Sequence, residues 1–139
     1  MSKRRRADGE LTAEFHRLAL KQGTLMPCWL AQFDEHERPC SGQVEAIHLI
    51  GRQRVRNVLV PLFVGVDRAD VEDLVELAEW DHRNAMTGCT THHRPFDSHS
   101  TPGLTVPGLA LPARFLEFAE ERALESDAER KFPGLVFPT

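Results

Sequence analysis

The chain has 139 residues, 41% hydrophobic and 27% charged, with 17 Lys and Arg against 21 Asp and Glu for a formal net charge of −4. These values fit one soluble globular domain. No stretch approaches the roughly 18 apolar residues that would cross a membrane, and Ser2-Lys3-Arg4-Arg5-Arg6 runs into Ala7-Asp8-Gly9-Glu10 rather than an apolar signal core, so the expected compartment is cytoplasmic.

Residues 1–9 read as a flexible basic tail. Leu11, Phe15, Leu18 and Ala19 then recur at helical spacing, which predicts an amphipathic helix over Glu10 to Gln22 stopped by Gly23. Met26 to Leu30 is a short apolar piece carrying Cys28, and the polar run Asp34 to Pro39 is a loop or hairpin tip leading to Cys40. Val44 to Ile50 has strand-like composition, with Val44, Ala46 and His48 on one face and Glu45, Ile47 and Leu49 on the other. A helix entering Gly51 is the alternative.

Gln53 to Phe63 stays open, because Pro61 would break a helix begun near Arg52. Asp70 is the expected N-cap of a helix with Val71, Leu74, Val75, Leu77 and Ala78 on its apolar stripe, running to about Trp80. Asp81 to Asn84 turns the chain, and Ala85 to Gly88 can form a second short strand. Thr90 or Thr91 can cap a helix beginning near His92, with Pro95 in its first turn. Ser98 to Leu111 is rich in Pro, Gly and Thr and is expected to be irregular. Pro112 opens a helix that places Phe115, Leu116, Ala119 and Ala123 on one face. The expected organisation is one domain over 10–125, with its chemistry in 28–97 and a C-terminal tail over 126–139. No internal repeat is visible.

The chemistry-bearing residues concentrate in Asn84-Ala85-Met86-Thr87-Gly88-Cys89-Thr90-Thr91-His92-His93-Arg94-Pro95-Phe96-Asp97. Three cysteines are an odd number, which suits a metal site better than closed disulfides. Cys89-x-x-His92 is a tight pair, and Cys28 with Cys40 would complete a tetrahedral Cys3His set for a structural Zn2+. Phosphodiester hydrolysis needs a base for water and a cation at the developing charge. His48, at the end of the first expected strand, can be that general base. The Asn84 amide can hold the loop or orient His48. His93 and Asp97, four apart, would share a helix face and offer a site for Mg2+ or another divalent ion. His16 and His36 read as surface residues, while His82 and His99 are lesser candidates for a metal. Trp29 and Trp80 read as core or interface aromatics.

Charge is uneven: acids gather in Asp67 to Asp81 and Glu117 to Glu129, bases at Lys3 to Arg6 and at Arg52, Arg54 and Arg56 just after His48. Those three arginines and Arg94 are the candidate phosphate contacts.

The ordered set Cys28, Cys40, His48, Asn84, Cys89, His92, His93 and Asp97 resembles the HNH (ββα-metal) endonucleases. In that family a catalytic His lies on the first strand of a ββα unit, an Asn follows in the connection, and a third His stands at the start of the helix. Zinc-binding cysteines often clamp the unit. The resemblance implies an α+β fold built on a zinc-stabilised ββα-metal motif with flanking and inserted helices, and a divalent-metal-dependent endonuclease acting on DNA. Small proteins of this look occur in phage and prophage settings, with packaging or recombination proteins as partners. Two features depart from the family pattern. Ile47 stands where such enzymes often carry an Asp or His ligand, and the long interval from His48 to Asn84 implies a helix inserted around Asp70 to Trp80. A zinc-stabilised module that binds nucleic acid or protein without catalysis is the alternative.

Overall fold

The computed structural model describes residues 2–22, 27–97 and 102–138; His99 lies outside them. Two short strands organise it: β1 (Val44–His48) pairs antiparallel with β2 (Ala85–Cys89), in a register that sets Val44 opposite Cys89 and His48 opposite Ala85. β1 falls where the side-chain alternation predicted it, two residues shorter than the expected Val44 to Ile50, and β2 covers the expected Ala85 to Gly88 with Cys89 added.

One face of this ribbon meets α1 (Ser2–Gln22), a helix that begins eight residues before the expected Glu10. Phe15 and Ala19 are fully buried against Ala46 and Ala85, with Trp80 at the edge of the cluster. Burying a Phe side chain contributes roughly 1.5–3 kcal/mol relative to leaving it in water, so Phe15 is the main anchor of α1.

Between the strands the chain makes an excursion through α2 (Arg52–Leu59) and α3 (Arg68–Glu79). Pro61 does not interrupt α2; it sits in a 3-10 turn, Val60–Leu62, that follows it. Asp67, not Asp70, occupies the N-cap of α3, which leaves Asp70 in the first turn, where a carboxylate faces the positive end of the helix dipole. The buried Glu79 carboxylate ties the two helices, accepting from Arg52 at 3.2 Å and Arg56 at 3.0 Å.

β2 leads directly into α4 (Thr90–Asp97). Because α4 starts at Thr90, Pro95 lies beyond the first turn and removes a helical N–H from its interior, and α4 ends two residues later. Beyond it, α5 (Ala113–Glu121) and α6 (Glu125–Lys131) close the main core, where Ile47, Leu49, Val55, Phe115, Phe118 and Phe132 are all fully buried. The segment 126–139 therefore begins inside α6, and Phe132 within it is a core residue. Gly108 shows how closely that segment docks: its N–H donates to Pro133 O at 2.8 Å, and a Cβ there would meet the Leu135 backbone at 2.6 Å. The described residues thus form a mixed α+β fold with six α-helices and a two-stranded antiparallel sheet. No described helix is long and apolar enough to cross a membrane.

Candidate metal centre and its surroundings

Four donors from three parts of the chain converge beside the ribbon. Cys28 precedes a 3-10 turn, Trp29–Phe33; Cys40 precedes β1; Cys89 ends β2; His92 lies in the first turn of α4. Their ligand atoms all lie within 4.8 Å of one another. The His92 Nδ1 faces the three sulfurs, 3.1 Å from Cys89 and 3.6 Å from both Cys28 and Cys40. Zinc–sulfur bonds of about 2.3 Å in a tetrahedron would place sulfurs about 3.8 Å apart, so this Cys3His group is compatible with a zinc site.

The long Cys28–Cys40 interval is closed by a tied loop. The Asp34 carboxylate accepts from the N–H groups of His36 and Arg38 and from the Arg38 guanidinium at 2.9 Å, and Glu37 turns the backbone with φ 51°. Gly42, at φ 79°, lets the chain pass hard against Thr90, where any side chain would collide. The Ser41 and Thr91 hydroxyls are hydrogen-bonded there. The folded loop presents the Arg38 carbonyl to His92, whose Nε2–H donates to it at 2.9 Å, with Asp34 Oδ2 at 3.3 Å. Such an outer partner fixes the tautomer, leaving Nδ1 as the lone pair that faces the thiols. Asp34 and Arg38 escaped the sequence reading; their i, i+4 spacing was its only trace.

Thiol acidities reflect the crowding. Burial pushes Cys28 up, and burial together with the neighbouring thiols pushes Cys40 up to about 12. Burial opposes ionisation of Cys89 too, but hydrogen bonds to its sulfur, the His92 backbone N–H foremost and that of Ser41 with it, bring that thiol down to about 6. Zn2+ would deprotonate all three outright.

His48, at the end of β1, is clamped. Its ring stacks on Phe15 at 4.3 Å and meets Trp80 edge-on at 5.1 Å, and its Nε2–H donates to Glu79 O at 2.8 Å. Burial lowers its pKa to about 4, so at neutral pH the ring is uncharged with its lone pair on Nδ1. Asn84 is fully buried, and its side-chain hydrogen bonds go to Ile50. Its Oδ1 accepts from Ile50 N at 2.9 Å and its Nδ2 donates to Ile50 O at 2.8 Å, so of the two roles open to it, it holds the loop after His48.

His93 sits between two carboxylates, Nδ1 2.6 Å from Glu45 and Nε2 2.8 Å from Asp97. The Asp97 hydrogen bond, with Glu45 adding to it, raises its pKa to about 9. Both nitrogens are then donors, so in this arrangement the His93–Asp97 pair leaves no imidazole lone pair for a divalent ion. Among the described residues the Cys3His group is the one cluster of three or more His, Cys, Asp or Glu positioned for a metal. Glu45 was not a predicted site residue. Its neighbourhood with His93 depends on how α4 crosses the ribbon, which no local spacing reveals.

The candidate phosphate contacts separate. Arg52 stacks on Trp80 at 4.3 Å and Arg54 pairs with Asp127 at 3.3 Å, and both line one cleft. Arg56 is turned toward α3, held by Glu72 at 2.8 Å and by Glu79. Arg94 is exposed on α4. The chain matches no protein-family model, no curated protein and no solved structure.

Proposed function

We propose that this chain is a divalent-metal-dependent DNA endonuclease of the HNH type, with a structural Zn2+ held by Cys28, Cys40, Cys89 and His92. The observation that carries this reading is the path β1–β2–α4. His48 ends the first strand, Asn84 ties down the loop behind it, and four metal donors close the far end of the same unit. Zinc held there would do no chemistry; it would lock the 28–40 loop, β2 and α4 together, and such binding can supply roughly 10 kcal/mol or more of folding free energy. The clamped, uncharged His48 would accept a proton from water at Nδ1, its orientation fixed by Glu79 O. A Mg2+ or other divalent ion would supply positive charge at the phosphate. His93 and Asp97 are its nearest candidate holders, but with both imidazole nitrogens engaged by Glu45 and Asp97 their present pairing does not fit it.

Two observations favour a second reading, a zinc-stabilised binding module without catalysis: Ile47 precedes His48, and both His93 nitrogens are engaged by carboxylates. Nicking of supercoiled plasmid with Mg2+, Mn2+ or Ni2+ separates the two. The nuclease predicts nicking that His48→Ala abolishes with zinc content unchanged. Zinc-loaded protein that nicks with none of the three ions would leave the binding module.

A further inference from the structure

A cleft of 850 Å3 opens between the first turn of α2, the end of α4, the segment 103–106 and α6. Its size is that of sites that enclose small ligands or one unit of a larger one. Four cations line it, Arg52, Arg54, Arg130 and Lys131, against two acids, Asp97 and Asp127. The acids are already engaged: Asp127 by Arg54 at 3.3 Å and Arg130 at 3.7 Å, Asp97 by His93 at 2.8 Å. The lining therefore holds more cations than acids in spite of the negative chain, although Arg54 and Arg130 share Asp127 and Arg52 is paired with Glu79.

Lys131 is its distinctive group. The ammonium sits 4.3 Å above the Phe96 ring and 5.8 Å from that of Phe132, with no carboxylate paired to it among the described residues. Burial against the two rings brings it down to about 8, with the charge of Asp97 only partly opposing the fall. Across the cleft, Gly51 caps α2 without any side-chain hydrogen bond, so the first N–H groups of the helix are left for another acceptor. Arg52 connects this cleft to His48, since Arg52 stacks on the Trp80 ring that packs against that imidazole.

We propose that this cleft holds the DNA backbone beside the scissile phosphodiester, with Lys131 and Arg52 contacting a neighbouring phosphate; this rests on the nuclease function proposed above. Lys131 is then a positioning residue, supplied by a helix outside the ββα unit. The site suits an anion rather than a base, because its lining carries four cations against two acids and ends on a helix N-terminus with no side-chain cap.

The test uses full-length, zinc-loaded protein and a short fluorescein-labelled duplex, with anisotropy read over a salt series without added divalent ion. Lys131→Met keeps the stem that packs on Phe96 and removes the charge. It should weaken binding about tenfold and lower the salt slope by about one, uniformly across sequences. Lys131→Arg should restore most of the affinity. Lys21→Ala removes a charge in the last turn of α1, outside the cleft, and should leave binding within about twofold. If wild type nicks plasmid while Lys131→Met binds as tightly as Lys21→Ala, the cleft is wrong and the nuclease stands. Weakened binding in a chain that never nicks would leave a DNA-backbone site in the cleft but overturn the nuclease and the scissile phosphodiester placed beside it. Zinc-loaded wild type that neither binds nor nicks would remove both.

Discussion

The carboxylate of Asp34 lies 3.3 Å from Nε2 of His92, with both side chains almost wholly buried. Asp34 therefore works on the metal centre at one remove. It orients the imidazole and, through Arg38, shapes the loop that carries Cys40 back to Cys28. Replacing it by Asn keeps the shape but removes the charge behind the ring. Asp34→Asn should weaken zinc retention by about 10- to 100-fold, as outer partners of metal-bound His do. Competition against a colorimetric chelator measures this directly. Zinc retained as tightly as in wild type would show that Asp34 serves the loop alone.

Asn84 makes a different prediction. Its side chain exchanges two hydrogen bonds with Ile50 in a fully buried position. Asn84→Ala would leave a buried N–H and a buried C=O without partners, at a cost of about 2–4 kcal/mol. Urea unfolding of zinc-loaded protein should show that loss with zinc stoichiometry unchanged. Stability within about 0.5 kcal/mol of wild type would mean that water or a rearranged loop replaces both bonds.

His48 sets a pH dependence. Its folded pKa is lowered to about 4 from the ordinary 6.5, so the unfolded chain takes up the proton first as pH falls. The stability that comes from burying a neutral ring is complete above about pH 6.5 and is lost as pH falls toward 4. His48→Gln removes this component while the carboxylates and thiols titrate as before. The stability difference between wild type and His48→Gln should therefore shrink on acidification across that window, and the His48 C2 proton should titrate near 4 by NMR. A midpoint near 6.5 would show that the Phe15–Trp80 clamp is open in solution.

Much of the metal centre was legible from residue type and order, because strand alternation around His48 and the Cys89–His92 spacing are local signals. The four donors meet as the Cys3His reading required. Less local relationships were hidden. The Glu45–His93 contact needs both the position of Glu45 on β1 and the path of α4 over the ribbon. α6 was hidden for another reason: Glu125 to Lys131 is mostly charged and looks like a solvated run, yet Ala128 and then Phe132 seal the core. Lys131, which lines the cleft, was passed over with it. The N-cap moved from Asp70 to Asp67 because the two sites carry the same residue type three positions apart, and spacing alone does not choose between them.

The claim on which the rest depends is that Cys28, Cys40, Cys89 and His92 meet on one ion. Native mass spectrometry of protein purified without chelator, beside Cys89→Ser, tests it most directly. Wild type should carry one Zn per chain and Cys89→Ser should carry none or lose it readily, with loss of the folded charge-state distribution. A folded wild-type chain at its metal-free mass would contradict the account: the four donors would then be a cluster of buried thiols and one structural histidine.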